Sequence, residues 1–329
     1  MDSRAPAGSH IPVVSRGGGR ASVPASARVS AVAHVPIAAR VSAAGAGVRR
    51  IAAGGRAYNI AARVLKATVS AAIGLLVAAP ILYGLSMSLM RDADIMAFPP
   101  KIFPIHATLE NYFNVVRTVP IFRFIGNSIV VSVSVCLLQL LTCSMAAYAF
   151  VFLKFRGRRT LFVAALATIL IPGDATIISN FLTVTRLGMA DTFTALIVPF
   201  ATSATGIFLI RQFYMSVPKE LKEAALIDGC GDFHFFVKIL LPISAPVLGA
   251  LAVFAIISTW NQYMWPLLIT NTPENRTVQI GISMLQFSDG IVYGLVNAGC
   301  MLVLIPSITF FVICRKKMVD SLITGSVKG

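Results

Sequence analysis

Polar positions in this chain are not interleaved with apolar ones but missing from long blocks. Residues 68–90, 124–152, 160–182, 193–212, 247–269 and 291–314 carry no charged residue, or nearly none. A hydrocarbon core takes about 20 helical residues to cross, and every block is near or above that length. None has the one-sided apolar stripe of a helix resting on a water-soluble core. Runs such as Leu161-Phe162-Val163-Ala164-Ala165-Leu166 do not alternate as barrel strands must, and open sheet edges are not tolerated in lipid. The pattern predicts an all-α, polytopic membrane protein with six transmembrane helices.

Composition agrees. Of 329 residues, 57% are hydrophobic and 12% charged, too few polar groups to cover a soluble domain of this size. The net charge of +15 would on a soluble protein suggest nucleic acid, but its distribution gives another reading. With both termini on one side of six crossings, 22 of the 28 Lys and Arg fall on that side and six on the other. Cytoplasmic loops collect Lys and Arg, so both termini are expected in the cytoplasm. The charge is a topological signal, and no nucleic-acid partner is expected.

Residues 1–66 differ from the rest, being rich in Ala, Gly, Ser and Arg with few large apolar side chains. They read as a disordered basic cytoplasmic arm, able to touch anionic lipid through its basic residues, or as a dispensable extension. A transit peptide shares the composition; no cleavable secretory signal is apparent. The six-span transmembrane domain is expected over 67–314 and a short cytoplasmic tail over 315–329. Five cysteines contain no C-x-x-C pair and four scattered histidines lack ligand spacing, so no metal site is expected.

The most informative segment is the loop 212–246. Pro218 suits the first turn of a helix, and Lys219-Glu220-Leu221-Lys222-Glu223-Ala224-Ala225-Leu226-Ile227 is built of good helix formers. Gly229 can adopt positive φ where that helix stops. Asp232 is placed to cap a second helix over Phe233 to Leu240, ended by Pro242. Ala224 and Ala225 give the first helix a smooth side for close approach. Leu221, Leu226, Ile227, Phe233, Phe235 and Phe236 offer apolar surface that predicts a docked partner.

Glu223-Ala224-Ala225, three residues, Gly229, nine residues and then Ile239-Leu240-Leu241-Pro242 resembles the EAA loop of permease subunits from bacterial binding-protein-dependent ABC importers. Ile171-Pro172-Gly173, Ser216-Val217-Pro218-Lys219-Glu220-Leu221, the segment Trp260 to Leu267 and the closing Gly325-Ser326-Val327-Lys328-Gly329 resemble its carbohydrate-uptake branch, which includes the maltose and glycerol-3-phosphate systems. The resemblance covers roughly residues 67–329 and implies the type I ABC importer permease fold in the bacterial plasma membrane. It also implies three kinds of partner: a second homologous permease subunit, a cytoplasmic ABC ATPase dimer and an extracytoplasmic solute-binding protein. ATP would be used by the ATPase, with no cofactor bound by this chain. Within the motif, Glu223 would pair with a basic ATPase residue, Ala224 and Ala225 make the close contact, and Gly229 form the turn; Ile239, Leu241 and Pro242 complete the pattern. Independently, no Gly-Lys dipeptide occurs, so the phosphate loop G-x-x-x-x-G-K-[ST] is absent.

Polar residues within the spans are candidates for a substrate path. Asp174 follows the helix-breaking Pro172-Gly173; it lines the route, bonds Asn180, Thr176 or a neighbouring span, or lies near the outer surface. Asn261 and Gln262, with Trp260 and Trp265, combine amide groups and aromatic faces that suit a sugar, although Trp265 also fits an interfacial belt. Asn127, Gln139 and Asn297 read as interhelical hydrogen-bonding residues. The competing function is a secondary transporter or channel driven by an ion gradient, which would carry more buried ionisable groups or an internal repeat. No nucleophile and base point to an intramembrane enzyme.

Overall fold

The computed structural model describes residues 37–99, 101–287 and 292–326, with side chains described over 62–99, 101–286 and 292–313. The described residues are helical throughout their regular structure. Among them, three helices are long and apolar enough to cross a bilayer unaided: Ala62–Ser88, Ile121–Phe152 and Tyr293–Ile313. Three further pairs of helices reach that length and apolarity only together, each pair bent at a short break. Arg158–Leu170 meets Gly173–Arg186 at 103°, Phe193–Phe200 meets Ala204–Met215 at 43°, and Asp232–Ile243 meets Ala245–Trp260 at 77°.

The breaks have local causes. At the first, Pro172 has no N–H and disfavours a helical Ile171, whose ψ is 115°. At the second, Ser203 starts a new helix by accepting a hydrogen bond from Gly206 N–H at 3.2 Å. The expected fifth span, 247–269, is itself interrupted, because the helix ends at Trp260 and a short one resumes over Met264–Ile269.

The chain divides into two compact units between Ile73 and Gly74. Residues 1–36, part of the arm expected to be disordered, lie outside the described residues. From Ile37 the backbone is helical and runs unbroken to Ser88. The Ala-rich composition that starves this segment of core-forming side chains also favours helix. The last helix likewise runs on from the sixth span to Ser326, so the expected tail is helical over its described part.

In the second unit, Gly74–Gly329, Ile121–Phe152 is the central helix, packed by Ala204–Met215, Ala245–Trp260 and Val278–Phe287. Two of its buried polar side chains bond to loop and helix-end carbonyls left without helical partners. Asn127 Nδ2 donates to the carbonyls of Glu274 (2.8 Å) and Arg276 (2.9 Å), and Gln139 Nε2 to that of Phe200 (2.9 Å). Asn297 departs from this scheme. Its Nδ2 donates within its own helix to Tyr293 O at 2.8 Å, with Met87 Sδ 4.0 Å away.

Packing is close where Val278–Phe287 crosses the fully buried Phe124. A Cβ placed on Gly281 would lie 2.5 Å from Phe124 Cδ2. Gly281→Ala is therefore expected to destabilise the fold by about 1–3 kcal/mol, the usual cost of overpacking. Thermal melting of the purified protein tests this, and an unchanged transition would show that the contact yields freely.

Candidate functional site

The loop after Ala204–Met215 folds as two helical segments around a sharp turn. Lys219–Ile227 is a helix, as its composition predicts, with Pro218 just before its first turn. It ends in a double hydrogen bond. Gly229 N–H donates to Leu226 O at 3.1 Å and Cys230 N–H to Ala225 O at 2.8 Å, while Gly229 sits at φ +77°. This is the Schellman arrangement, which places a left-handed residue just past the helix end.

The second segment differs from expectation at both ends. The Asp232 side chain does not cap the helix Asp232–Phe235, whose N-cap is Gly231. Pro242 does not end the segment either. After Phe235 the backbone widens into a π turn over Phe236–Leu240, and the chain stays helical through Pro242 to Ile243. Pro242 stands in the first turn of that last piece, where a missing N–H costs least. The end comes at Ser244, whose N–H reaches Leu240 O at 3.0 Å and whose hydroxyl also bonds that carbonyl.

Asp232 is used elsewhere. Tyr148 Oη donates to its carboxylate at 2.9 Å, and Lys222 Nζ stands 2.9 Å from the same oxygen. Lys222 also donates to Phe152 O at 3.3 Å, satisfying a carbonyl at the end of Ile121–Phe152. Beneath it, Tyr148 stacks on Phe152 with centroids 5.3 Å apart, and Phe235 meets Phe152 edge-on at 5.6 Å. The Lys222 ammonium and the Tyr148 hydroxyl hold the Asp232 carboxyl below the usual carboxylate range. Three elements thus converge on one carboxylate: the first loop helix through Lys222, the second through Asp232 itself, and the central span through Tyr148.

Helical periodicity sorts the remaining loop residues into two faces. Leu221 and Ala225 turn inward, and Ala225, 5% exposed, joins a core with Tyr148, Tyr214, Phe235 and Phe236. Ala225, Phe235 and Phe236 are buried in this internal packing. Ile239 and Leu241 are half-buried against the same core, and Pro242 is exposed. Glu223 and Ala224 face outward, beside Leu226, Ile227 at 86% exposure and Phe233 at 78%.

The polar residues of the spans scatter. Asp174 is exposed in the first turn of Gly173–Arg186, a position where the helix dipole favours an anion. The hydrogen bond weighed between Asp174 and Thr176 does not form, because Thr176 donates to Gly173 O at 2.9 Å. Trp265 is buried. Its indole Nε1 donates to Ala195 O at 3.0 Å, and its ring meets Phe200 edge-on at 6.1 Å in a buried cluster. Gln262 is half-buried beside the helix break. Asn261, exposed, lines with Trp260 a cavity of about 600 Å³ whose other polar groups are Ser132, Ser307 and Thr309.

Sequence reasoning missed two sets of polar contacts. One is the Tyr148–Asp232–Lys222 cluster. The other is Asp191, at φ +55°, whose carboxylate accepts from Asn271 N–H (3.0 Å) and Thr272 N–H (3.3 Å), while Asn275 Nδ2 donates to its main-chain oxygen at 2.7 Å. Neither shows a local signal, since the partners lie about 80 residues apart.

Residues 103–315 match the family of binding-protein-dependent transport system inner membrane components. The chain belongs to this family. As a binding-protein-dependent inner membrane component it is a multi-pass permease subunit. The arabinooligosaccharides transport system permease protein AraQ of Halalkalibacterium halodurans is 31% identical over 245 residues, 74% of this chain and 86% of the relative. The sn-glycerol-3-phosphate transport system permease protein UgpE of Brucella suis is 34% identical over 258 residues, 76% and 92% of the two chains. A chain from the crystal structure of a bacterial ABC transporter that imports the acidic polysaccharide alginate superposes with a TM-score of 0.67 at 23% identity. That match covers 77% of this chain and 95% of the other, and it supports the permease fold.

Proposed function

We propose that this subunit forms half of a translocation pathway for a carbohydrate or related polyol and is driven by a separate ATPase through the loop 212–246. The observation that carries the coupling role is the outward face of Glu223, Ala224, Ile227 and Phe233 on helices tied to the central span through Asp232. So much exposed apolar surface beside a carboxylate fits a partner with an apolar cleft and a basic residue. A second homologous permease supplies the other half of the pathway, an ATPase dimer binds and hydrolyses ATP, and an extracytoplasmic binding protein delivers the solute. The loop and both termini are cytoplasmic, as the Lys and Arg distribution supports.

Closure of the ATPase dimer displaces the loop helices, and alternating access follows because the span ends move with them. The names of the two relatives support an oligosaccharide or polyol-derived solute. Asn261, Gln262 and Asp174 are the polar candidates on its route; Trp265 has its hydrogen-bonding group engaged internally.

The test is uptake of a labelled oligosaccharide or polyol by proteoliposomes holding the complete complex and its binding protein. Uptake is expected only with ATP on the ATPase side. Equal uptake without ATP under an ion gradient would overturn the reading in favour of secondary transport.

A further inference from the structure

Beside the coupling loop, on the face proposed above as cytoplasmic, the structure holds a surface pocket of about 820 Å³ that adjoins a smaller one of about 360 Å³. Lys154, Arg158, Arg211 and Lys219 line the larger pocket, and among the described residues Glu223 is the one carboxylate on its rim. The described ion pairs are Lys101–Asp94, Arg123–Glu274 and Lys222–Asp232, so none of these four cations has a carboxylate partner among the described residues. Arg211 joins the two pockets. Its guanidinium lies 4.0 Å from the centroid of the Phe162 ring, and its buried Nε has no hydrogen-bond partner among the described residues. Arg158 gives Nη1 to the carbonyls of Val151 (3.4 Å) and Leu153 (3.1 Å), which leaves Nη2 and Nε available.

We propose that this pocket binds the phosphodiester headgroup of an anionic phospholipid. Phosphate oxygens are acceptors matched to guanidinium edges and to a lysine ammonium, and the Arg211 guanidinium, which lines the pocket without a carboxylate partner among the described residues, offers such an edge. Basic pockets between transmembrane helices hold such headgroups. Position favours a lipid over a soluble partner. Phe162 and Arg211 fall within apolar stretches read as spans, and Leu161 and Val163 beside Phe162 are exposed, giving acyl chains an apolar surface to lie on. A choline headgroup would bring its own cation among four others and is disfavoured. The proposal does not depend on the coupling role of the loop.

Native mass spectrometry of the complete complex with its partner permease and ATPase tests it, using phosphatidylglycerol, phosphatidylcholine and inorganic phosphate as probes. Phosphatidylglycerol should be retained and phosphatidylcholine lost. Lys154→Gln combined with Arg211→Gln should weaken retention about thirtyfold, from the loss of about 1 kcal/mol for each cation, and Arg211→Lys should keep most of it. If the double variant does not assemble, Lys154→Gln alone, at an exposed position, should weaken retention about fivefold. Equal retention of both lipids, or no effect of the variants, would overturn the proposal. So would displacement by inorganic phosphate at equal concentration, which assigns the pocket to a free anion. Binding seen only after the ATPase is stripped away would overturn it too, since the pocket would then belong to that interface.

Discussion

Gly229→Val is expected to strip the ATPase from the complex while leaving the subunit in the membrane. Gly229 holds φ +77° and closes the helix Lys219–Ile227 by the paired bonds to Leu226 and Ala225. A β-branched residue is a poor fit to that backbone, and enforcing it costs about 1–3 kcal/mol. Space is not the obstacle, because an added Cβ would meet nothing within 4 Å. The strain is relieved only by moving the turn, which displaces Glu223, Ile227 and Phe233 from their shared face. At about 1.4 kcal/mol per factor of ten, docking should weaken about tenfold or more. Insertion should be spared, since the site lies outside the spans. Gly229→Asn should be milder, because Asn tolerates the left-handed region. Glu223→Lys should give the same loss by reversing an exposed charge without touching the backbone. The check is the amount of ATPase that co-purifies, set against the amount of subunit in the membrane fraction. Wild-type recovery of ATPase with transport intact would remove the coupling role from this loop.

The contrast between Gly229 and Asp232 shows which features could be read ahead of the structure. A helix stop at Gly229 is a local matter, set by a glycine after nine helix-forming residues, and it stands where the sequence places it. Asp232 carries an equally familiar local pattern, an acidic residue just after glycine and before a helix. The pattern misleads, because Tyr148, 84 residues earlier, draws the carboxylate away. The spans were legible because lipid removes charge from whole segments. Their bends were legible in part, since Pro172 announces one break but nothing so plain marks the end of Ala245–Trp260. Burial within the loop was not legible. Ala224 and Ala225 are identical in chemistry and opposite in exposure, because the core they flank is built from three other elements. Trp265 shows the same limit, since an aromatic beside two amides suits a sugar until its N–H is found on Ala195.

Asp232→Ala is expected to separate ATP hydrolysis from transport. Asp232 bonds through its side chain to Tyr148 and Lys222 and not to Glu223, Ala224 or Ile227, the residues proposed to face the ATPase, so the ATPase should still dock and hydrolyse ATP within about twofold of wild type, the loss of an exposed ion pair costing only about 0–1 kcal/mol. What the substitution removes is the link between loop and span. Without the carboxylate, the Tyr148 hydroxyl keeps only the weaker bond to the Asp232 main-chain oxygen, 3.3 Å away, and Lys222 keeps only the Phe152 carbonyl, also 3.3 Å away. The apolar contacts of Phe235 and Phe236 with Phe152 and Tyr148 remain, but the polar tie that fixes their register is weakened, so the loop helices carry the central span less firmly. Uptake per ATP hydrolysed should fall about tenfold, as expected if about 1.4 kcal/mol of differential stabilisation is lost from the span's displaced position. Tyr148→Phe should reproduce part of the defect, because it deletes the hydroxyl's contacts with Asp232, spares the Lys222–Asp232 ion pair and keeps the ring stack on Phe152. The pair should be non-additive in a double-mutant cycle, since both substitutions act on one contact. Solute uptake and phosphate release, measured together in the same proteoliposomes, decide the matter. Parallel loss of both activities would mean that Asp232 serves assembly or folding, and an unchanged ratio with full activity would mean that motion reaches the span by another route.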